Sequence, residues 1–112
     1  MPKINQIIIK IIPDTKQRIK GSLGDYWLEG DTLQVRVSQD ADWRREWGII
    51  LHELDEFGIC LHRGIEEPII QAFDESYKGN DPGTHPTAPY HKEHQHAEEV
   101  EEMFYEAVNY EG

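Results

Sequence analysis

The chain is poor in cysteine, in basic residues and in long hydrophobic runs, and each shortage excludes a class of protein. Cys60 is the single cysteine, so no disulfide can form within the chain and a cytoplasmic location is expected. Lys and Arg number 11 against 22 Asp and Glu, a net charge of −11 at pH 7, which disfavours binding to nucleic acid or to anionic membranes. No hydrophobic run approaches the roughly 18 residues of a membrane-spanning helix, and no signal peptide is expected.

Several well-known catalytic motifs are also missing. The chain has no glycine-rich G-x-G-x-x-G loop and no P-loop, so nucleotide binding has no support. No serine stands in the context of a nucleophile elbow, which removes the support for a serine hydrolase. What is present is 112 residues with three Trp, five Tyr and three Phe, enough for one domain over residues 1–112 with a modest core.

The first third of the chain has the pattern of β-strands. Residues 4–12 are rich in isoleucine and end at Pro13, which is typical of a strand. Residues 26–28 and 33–37 are two further strand candidates, the second strictly alternating, joined by the turn sequence Glu29-Gly30-Asp31-Thr32. Residues 14–25 fit either a loop or a further short strand. Together these segments predict a small, largely antiparallel sheet.

The remainder of the chain predicts three helices. The first is capped by Asp40 or Asp42 and ends at Gly64. A second begins at residues 66–68 and runs to Tyr77, and a third begins near Tyr90, after a loop at residues 78–89 that is rich in Pro and Gly. The predicted fold class is therefore α+β, with a small antiparallel sheet packed against three helices. One continuous apolar face of the first helix is expected to enter the core: Trp43, Trp47, Ile50, Leu54, Phe57 and Leu61.

The stretch His52-Glu53-Leu54-Asp55-Glu56 within the first helix carries the clearest chemical signal. On a helix, His52 and Glu56 lie one turn apart on the same face, with Glu53 beside them. In the zinc motif H-E-x-x-H the two histidines bind the metal and the glutamate acts as general base. Here Glu56, whose carboxylate is an accepted zinc ligand, stands in place of the second histidine. The pattern predicts half of a metal site, with Glu53 as the catalytic base.

This polar face is bordered by Ile49, Ile59 and Cys60. A solvated helix face is not normally edged by apolar residues, whereas a cleft is, and buried carboxylates need a cation as partner. We therefore expect a half-buried site. The alternative is that Glu53 forms a structural salt bridge with a nearby arginine, Arg44, Arg45 or Arg63.

A second metal-binding segment is predicted at the start of the third helix, where three histidines lie close together: His91, His94 and His96. His94 is our choice of third ligand because it flanks the apolar face marked by Ala97, whereas His91 points nearly opposite; His96 remains an alternative. Asp74 is a further candidate, either as a ligand or as the acceptor that orients a ligating histidine. The alternative for Asp74 is an ordinary surface aspartate. The alternative for the three histidines is a helix start that is simply exposed to solvent.

The helix that carries His52-Glu53-Leu54-Asp55-Glu56 resembles the active-site helix of zincin-like metallopeptidases. A more specific resemblance is to short proteins of phages and prophages, which share an order of motifs over about residues 43–108. The shared order is the His-Glu-Leu-x-Glu helix ending in Cys60, then Gly64-Ile65, Phe73-Asp74, Ala88-Pro89-Tyr90 and Glu93-His94-x-x-Ala97. This resemblance implies a metal site of His52, Glu56 and His94 with Asp74 nearby, and it implies no particular substrate.

The expected function is that of a minimal zincin-like metallohydrolase, with zinc or another divalent ion as cofactor and a peptide or protein as substrate. In this hypothesis Glu53 activates a metal-bound water. The same residues allow two alternatives: a non-catalytic protein with a structural metal that acts in a phage or host complex, and an acidic interaction module without metal. The sequence indicates neither the oligomeric state nor a particular partner.

Overall fold

The described residues form three strands followed by three helices, which confirms the α+β class. The computed structural model describes residues 3–77 and 82–112, so part of the loop predicted at residues 78–89 lies outside the described residues. The strands are β1 (Gln6–Ile12), β2 (Gly24–Glu29) and β3 (Thr32–Ser38), and the helices are α1 (Trp43–Arg63), α2 (Glu67–Ser76) and α3 (His91–Ala107). Short 3₁₀ turns occupy Asp14–Lys16 and Pro82–Thr84.

The sheet is mixed, so the prediction of an antiparallel sheet is wrong for one of its two pairings. Its strand order is β1-β3-β2, with β2 and β3 antiparallel and β1 parallel to β3. β3 takes the centre because its side chains on the helix-facing side, Leu33, Val35 and Val37, are almost fully buried. Residues 13–23 therefore pass from the end of β1 to the far side of β3 before β2 begins. Residues 14–25, for which the sequence allowed either a loop or a short strand, form a 3₁₀ turn and a connection, and their last two residues begin β2.

Helix α1 begins and ends as its sequence predicts. The side chain of Asp42 accepts a hydrogen bond from the backbone N–H of Arg44 at 3.0 Å, and Gly64 closes the helix in the left-handed conformation with φ of 75°. No helix of the described residues is long and apolar enough to cross a membrane.

The prediction of which face of α1 is buried is wrong in part. Trp43 and Trp47 are 55% and 54% exposed and pair edge to face at the surface, and Ile50, Leu54 and Leu61 are only partly buried. Because α1 packs against the sheet on one side and α3 on another, its polar stripe is enclosed instead. The buried residues of α1 are Gly48, Ile49, His52, Glu53, Glu56, Phe57 and Cys60.

The apolar core lies between the helix-facing side of the sheet and α1. Val35 and Val37 are fully buried there, and Tyr26 of β2 meets Phe57 of α1 edge to face with ring centroids 5.5 Å apart. Cys60 is buried in the same cluster, as expected for a small apolar side chain. This packing holds the His52 to Glu56 segment of α1 directly over β2.

Replacement of Leu33 by alanine should lower the free energy of unfolding by about 2–5 kcal/mol, because Leu33 is only 1% exposed at the centre of the sheet. Leu23→Ala makes the same chemical change at a side chain that is 43% exposed, and it should cost less than about 1 kcal/mol. Urea unfolding followed by circular dichroism measures both variants. Equal losses would contradict the central position of β3.

Candidate metal centre

His52 and Glu56 of α1 and His94 of α3 meet in the interior of the protein. Nε2 of His52 and Nδ1 of His94 are 3.2 Å apart, and Oε2 of Glu56 lies 2.7 Å from His94 Nδ1 and 3.4 Å from His52 Nε2. All three side chains are buried, and one nitrogen or oxygen atom of each lies within 4.8 Å of the other two. This group can hold a metal ion.

The helical repeat of α1 and the first turn of α3 bring these atoms together. His52 and Glu56 share a face of α1 because they are one turn apart. His94 stands in the first turn of α3, where its backbone N–H donates to the carbonyl of Tyr90 at 2.9 Å. Since α3 packs along α1, the imidazole of His94 lies against the same turn of α1 that carries His52 and Glu56.

A carboxylate on α3 orients His52. Oε1 of Glu101 lies 2.8 Å from Nδ1 of His52, which leaves Nε2 directed at Glu56 and His94. The hydroxyl of Tyr105 in turn donates to Oε2 of Glu101 at 2.6 Å. Burial by itself lowers the pKa of His52, but the hydrogen bonds to Glu101 and Glu56 outweigh burial and raise the pKa to about 11.

The other two members of the group also have partners of their own. The hydroxyl of Tyr26 on β2 donates to Oε1 of Glu56 at 3.0 Å, and Oε1 of Glu98 lies 2.9 Å from Nε2 of His94. Burial raises the pKa of Glu56, but the hydrogen bonds from the two histidines have the larger combined effect and lower it. The centre of the group is thus arranged to favour positive charge.

Glu53 lies beside this group. Among the described residues no hydrogen bond or ion pair reaches its carboxylate, and burial together with the charge of Glu56 raises its pKa well above the usual range. The salt bridge considered as its alternative role does not form, since Arg44 pairs with Asp42, Arg63 pairs with Glu93, and Arg45 makes no ion pair with Glu53 within residues 3–77 and 82–112.

Asp74 is close to the group but does not belong to it. Its carboxylate accepts a hydrogen bond from the hydroxyl of Tyr90, and burial, the largest influence, raises its pKa to about 7. Of the other two histidines at the start of α3, His91 contacts the carbonyl oxygen of Gly83 at 2.9 Å and His96 pairs with Asp55 at 2.6 Å near the surface. Neither histidine reaches His52 or Glu56.

A cleft of about 450 Å³ opens onto these side chains. Its lining comes from the segment 18–26, which includes the start of β2, from α1, α2 and α3, and from the residues just before α3. Among the residues that line the cleft are Gly24, His52, Glu53, Asp74, Tyr90 and His94. The candidate metal group and the candidate base therefore face the same space.

The chain matches no known family model, no curated protein and no solved structure.

The residues that orient the histidines were missed by sequence reasoning, although α3 carries a signal for them. His94, Glu98, Glu101 and Tyr105 recur at spacings of four, three and four residues, which places them on one face of a helix. That polar stripe complements the polar stripe of α1 across the contact between the two helices. Tyr26, which comes from β2, has no comparable signal in its local sequence.

Three glycines allow other parts of the chain to approach the site closely. A Cβ atom on Gly24 would overlap the carboxylate of Glu53, one on Gly48 would overlap the ring of Tyr105, and one on Gly83 would overlap the imidazole of His94. Two of these glycines thus lie against side chains of the site, and Gly48 lies against Tyr105, which donates to Glu101.

Gly48→Ala should destabilise the protein by about 1–3 kcal/mol, because the added methyl group displaces the Tyr105 ring that holds Glu101. Gly58→Ala is the matched control in the same helix: no atom lies within 4 Å of its Cβ position, and it should stabilise α1 by about 0.5–1 kcal/mol. Thermal or urea unfolding compares the two variants. A stabilising effect at both positions would contradict the packing of Tyr105 on α1.

Proposed function

We propose that this protein is a minimal zinc-dependent metallohydrolase of zincin-like type that cleaves a peptide or protein substrate. One observation carries the proposal: a buried group of His52, Glu56 and His94 stands beside Glu53, a buried carboxylate without an ionic partner among the described residues, and all four line one cleft. A metal-ligating set next to a potential general base is the minimum that water activation requires.

The donor set fits zinc. Two imidazole nitrogens and one carboxylate oxygen are a common protein ligand set for catalytic zinc, which keeps its fourth position for water. Ligands at about 2.0–2.2 Å around a tetrahedral ion are about 3.3 Å apart, and the separations of 2.7, 3.2 and 3.4 Å within the group are close to that value. The Glu101 carboxylate is hydrogen-bonded to the outer nitrogen of His52, as such a site needs, and the Glu98 carboxylate lies 2.9 Å from the outer nitrogen of His94 without hydrogen-bond geometry.

In this proposal Glu53 moves the proton. Zinc, when bound, supplies Lewis acidity and lowers the pKa of a coordinated water to about 7. The Glu53 carboxylate accepts the proton of the attacking water and returns it to the amine that leaves, a role that suits a carboxylate whose pKa is raised by burial. Glu101 holds His52 with Nε2 towards the site, and Tyr26 holds Glu56.

An extended peptide is the substrate class that the cleft favours. β2 is an edge strand among the described residues, and its first three residues, Gly24, Asp25 and Tyr26, line the cleft beside Glu53. An edge strand can align a peptide by backbone hydrogen bonds. Such alignment needs little additional protein, which suits a chain of 112 residues.

One observation favours a structural metal as the second candidate function. All three members of the group are buried, between 5% and 7% exposed, and closed coordination is typical of structural zinc. In that case zinc stabilises the contact between α1 and α3 and Glu53 has no chemical role. Glu53→Gln distinguishes the two candidates, because it removes catalysis in the first and has no chemical effect at the metal in the second.

Protein purified without a His tag or chelators should contain about one zinc ion per chain, because a three-residue ligand set with oriented histidines binds zinc tightly. His52→Ala and His94→Ala should each lose the zinc, since two remaining ligands hold it poorly. His96→Ala is the matched control: this imidazole pairs with Asp55 away from the group and its loss should leave the zinc in place. Elemental mass spectrometry measures the content, and absence of zinc even after the metal is added back would contradict the site.

Glu53→Gln should reduce peptide cleavage by about 10²–10⁴-fold while zinc content is unchanged, because a positioned general base contributes about that much to the rate. Turnover is measured on a fluorogenic peptide library, with Glu106→Gln, an exposed change on α3, as control. Zinc retained with no turnover in the wild-type protein, together with unfolding when zinc is removed, would instead support the structural role.

A further inference from the structure

In the part of the chain that the structure describes, the outer edge of β1 lacks the features that usually protect an edge strand. Within the described residues β1 pairs with β3 on one side and with no strand on the other. Its seven residues contain no proline and pair with β3 in unbroken register, so no bulge turns the edge away. Lys10 is the only charged residue on the strand. Natural proteins normally block such an edge with charges, proline, a bulge or a covering element.

A row of isoleucines on the same strand is also left uncovered. Ile7, Ile9 and Ile11 are 52%, 40% and 41% exposed although they lie on the helix-facing side of the sheet, beside the buried side chains of β3. Helix α1 packs over β2 and β3, so the apolar surface of the sheet extends past the helices that cover it. An exposed apolar row on an open edge is typical of an interaction surface.

The distribution of charge favours this edge as the place where two copies of the chain meet. Residues 1–41 contain six basic and five acidic residues, whereas residues 42–112 contain five basic and 17 acidic residues. Contact through the helices would bring two acidic surfaces together at a cost in repulsion. β1 contains no acidic residue, so contact through β1 avoids that repulsion.

We propose that two copies of this chain associate through β1, antiparallel and about a two-fold axis at Ile9, to join their sheets into one. Ile7 of one copy then lies opposite Ile11 of the second, and the two isoleucine rows form one apolar surface on the helix-facing side. Lys10 lies opposite Ile8 of the second copy and meets no like charge. The same surface serves both copies, as a two-fold interface requires. The metal group has no part in this contact.

The interface is small, so the dimer is weak. A single strand edge with three half-exposed isoleucines buries less than the roughly 800 Å² per partner of a standard stable interface. Sedimentation equilibrium from about 1 to about 300 µM covers the affinities expected of such an interface. Wild-type protein should pass from the chain mass of 13.1 kDa towards twice that mass, more readily at high salt because each copy carries a net charge of −11. A monomer at every concentration and salt overturns the proposal.

Ile9→Lys should prevent association, because it places two ammonium groups opposite each other at the two-fold axis. Trp43→Lys is the control: this side chain is apolar and about as exposed, but it lies at the start of α1, and the variant should associate like the wild type. Circular dichroism checks that both variants fold. If Ile9→Lys associates like the wild type, or if Trp43→Lys no longer associates, the contact lies on another surface and the proposal is overturned.

Cysteine variants test the register and do not depend on the lysine variant being folded. Under mild oxidation Ile9→Cys should form a disulfide-linked dimer, because the two cysteines are opposite each other. Ile7→Cys should not, because it faces Ile11 of the second copy. The native Cys60 is 1% exposed and its pKa is raised to about 12 by burial, so it does not compete. Equal cross-linking of both variants, or of neither, overturns the proposed pairing.

Discussion

Carboxylates of α1 that are buried against β2 and α3 are the constraint on which the rest of the structure depends. Glu53 and Glu56 are only 9% and 5% exposed, and an ionised carboxylate can be buried only where hydrogen bonds or a cation offset the loss of water. Glu56 meets Tyr26 and His94, whereas Glu53 has no such partner among the described residues and its pKa is raised instead. The contact between these helices is therefore a place where a metal cation would be stabilised, and the function we propose starts from that property.

The sheet gives this polar contact its shape. The buried side chains of β3 hold α1 at a fixed position, and β2 then presents Tyr26 to Glu56 and Gly24 to Glu53. The close approach of backbone to the site at three glycines leaves little room for its side chains to move. Orientation of the metal group thus comes from packing around it as much as from its own hydrogen bonds.

The two edges of the sheet have different surroundings and, in our proposals, different roles. The edge formed by β2 borders the cleft and lies next to Glu53, whereas the edge formed by β1 carries an exposed isoleucine row. Because β3 separates the two strands, a peptide at β2 and a second copy at β1 would not compete.

The sequence by itself determined the features that depend on near neighbours along the chain: the three helices, the stop at Gly64, and the placement of His52 and Glu56 one turn apart. It narrowed the cap of the first helix to Asp40 or Asp42, and the structure shows that it is Asp42. Helical spacing also disfavoured His91 but left His94 and His96 as alternatives, and His94 is the histidine that the structure brings to His52. Only the tertiary structure decided that β1 runs parallel to β3, that the polar stripe of α1 is enclosed while Trp43 and Trp47 are exposed, and that Glu98, Glu101 and Tyr105 support the site. Helical periodicity shows which residues share a face, but whether that face is buried depends on the elements that pack against it, and those contacts join residues far apart in the chain.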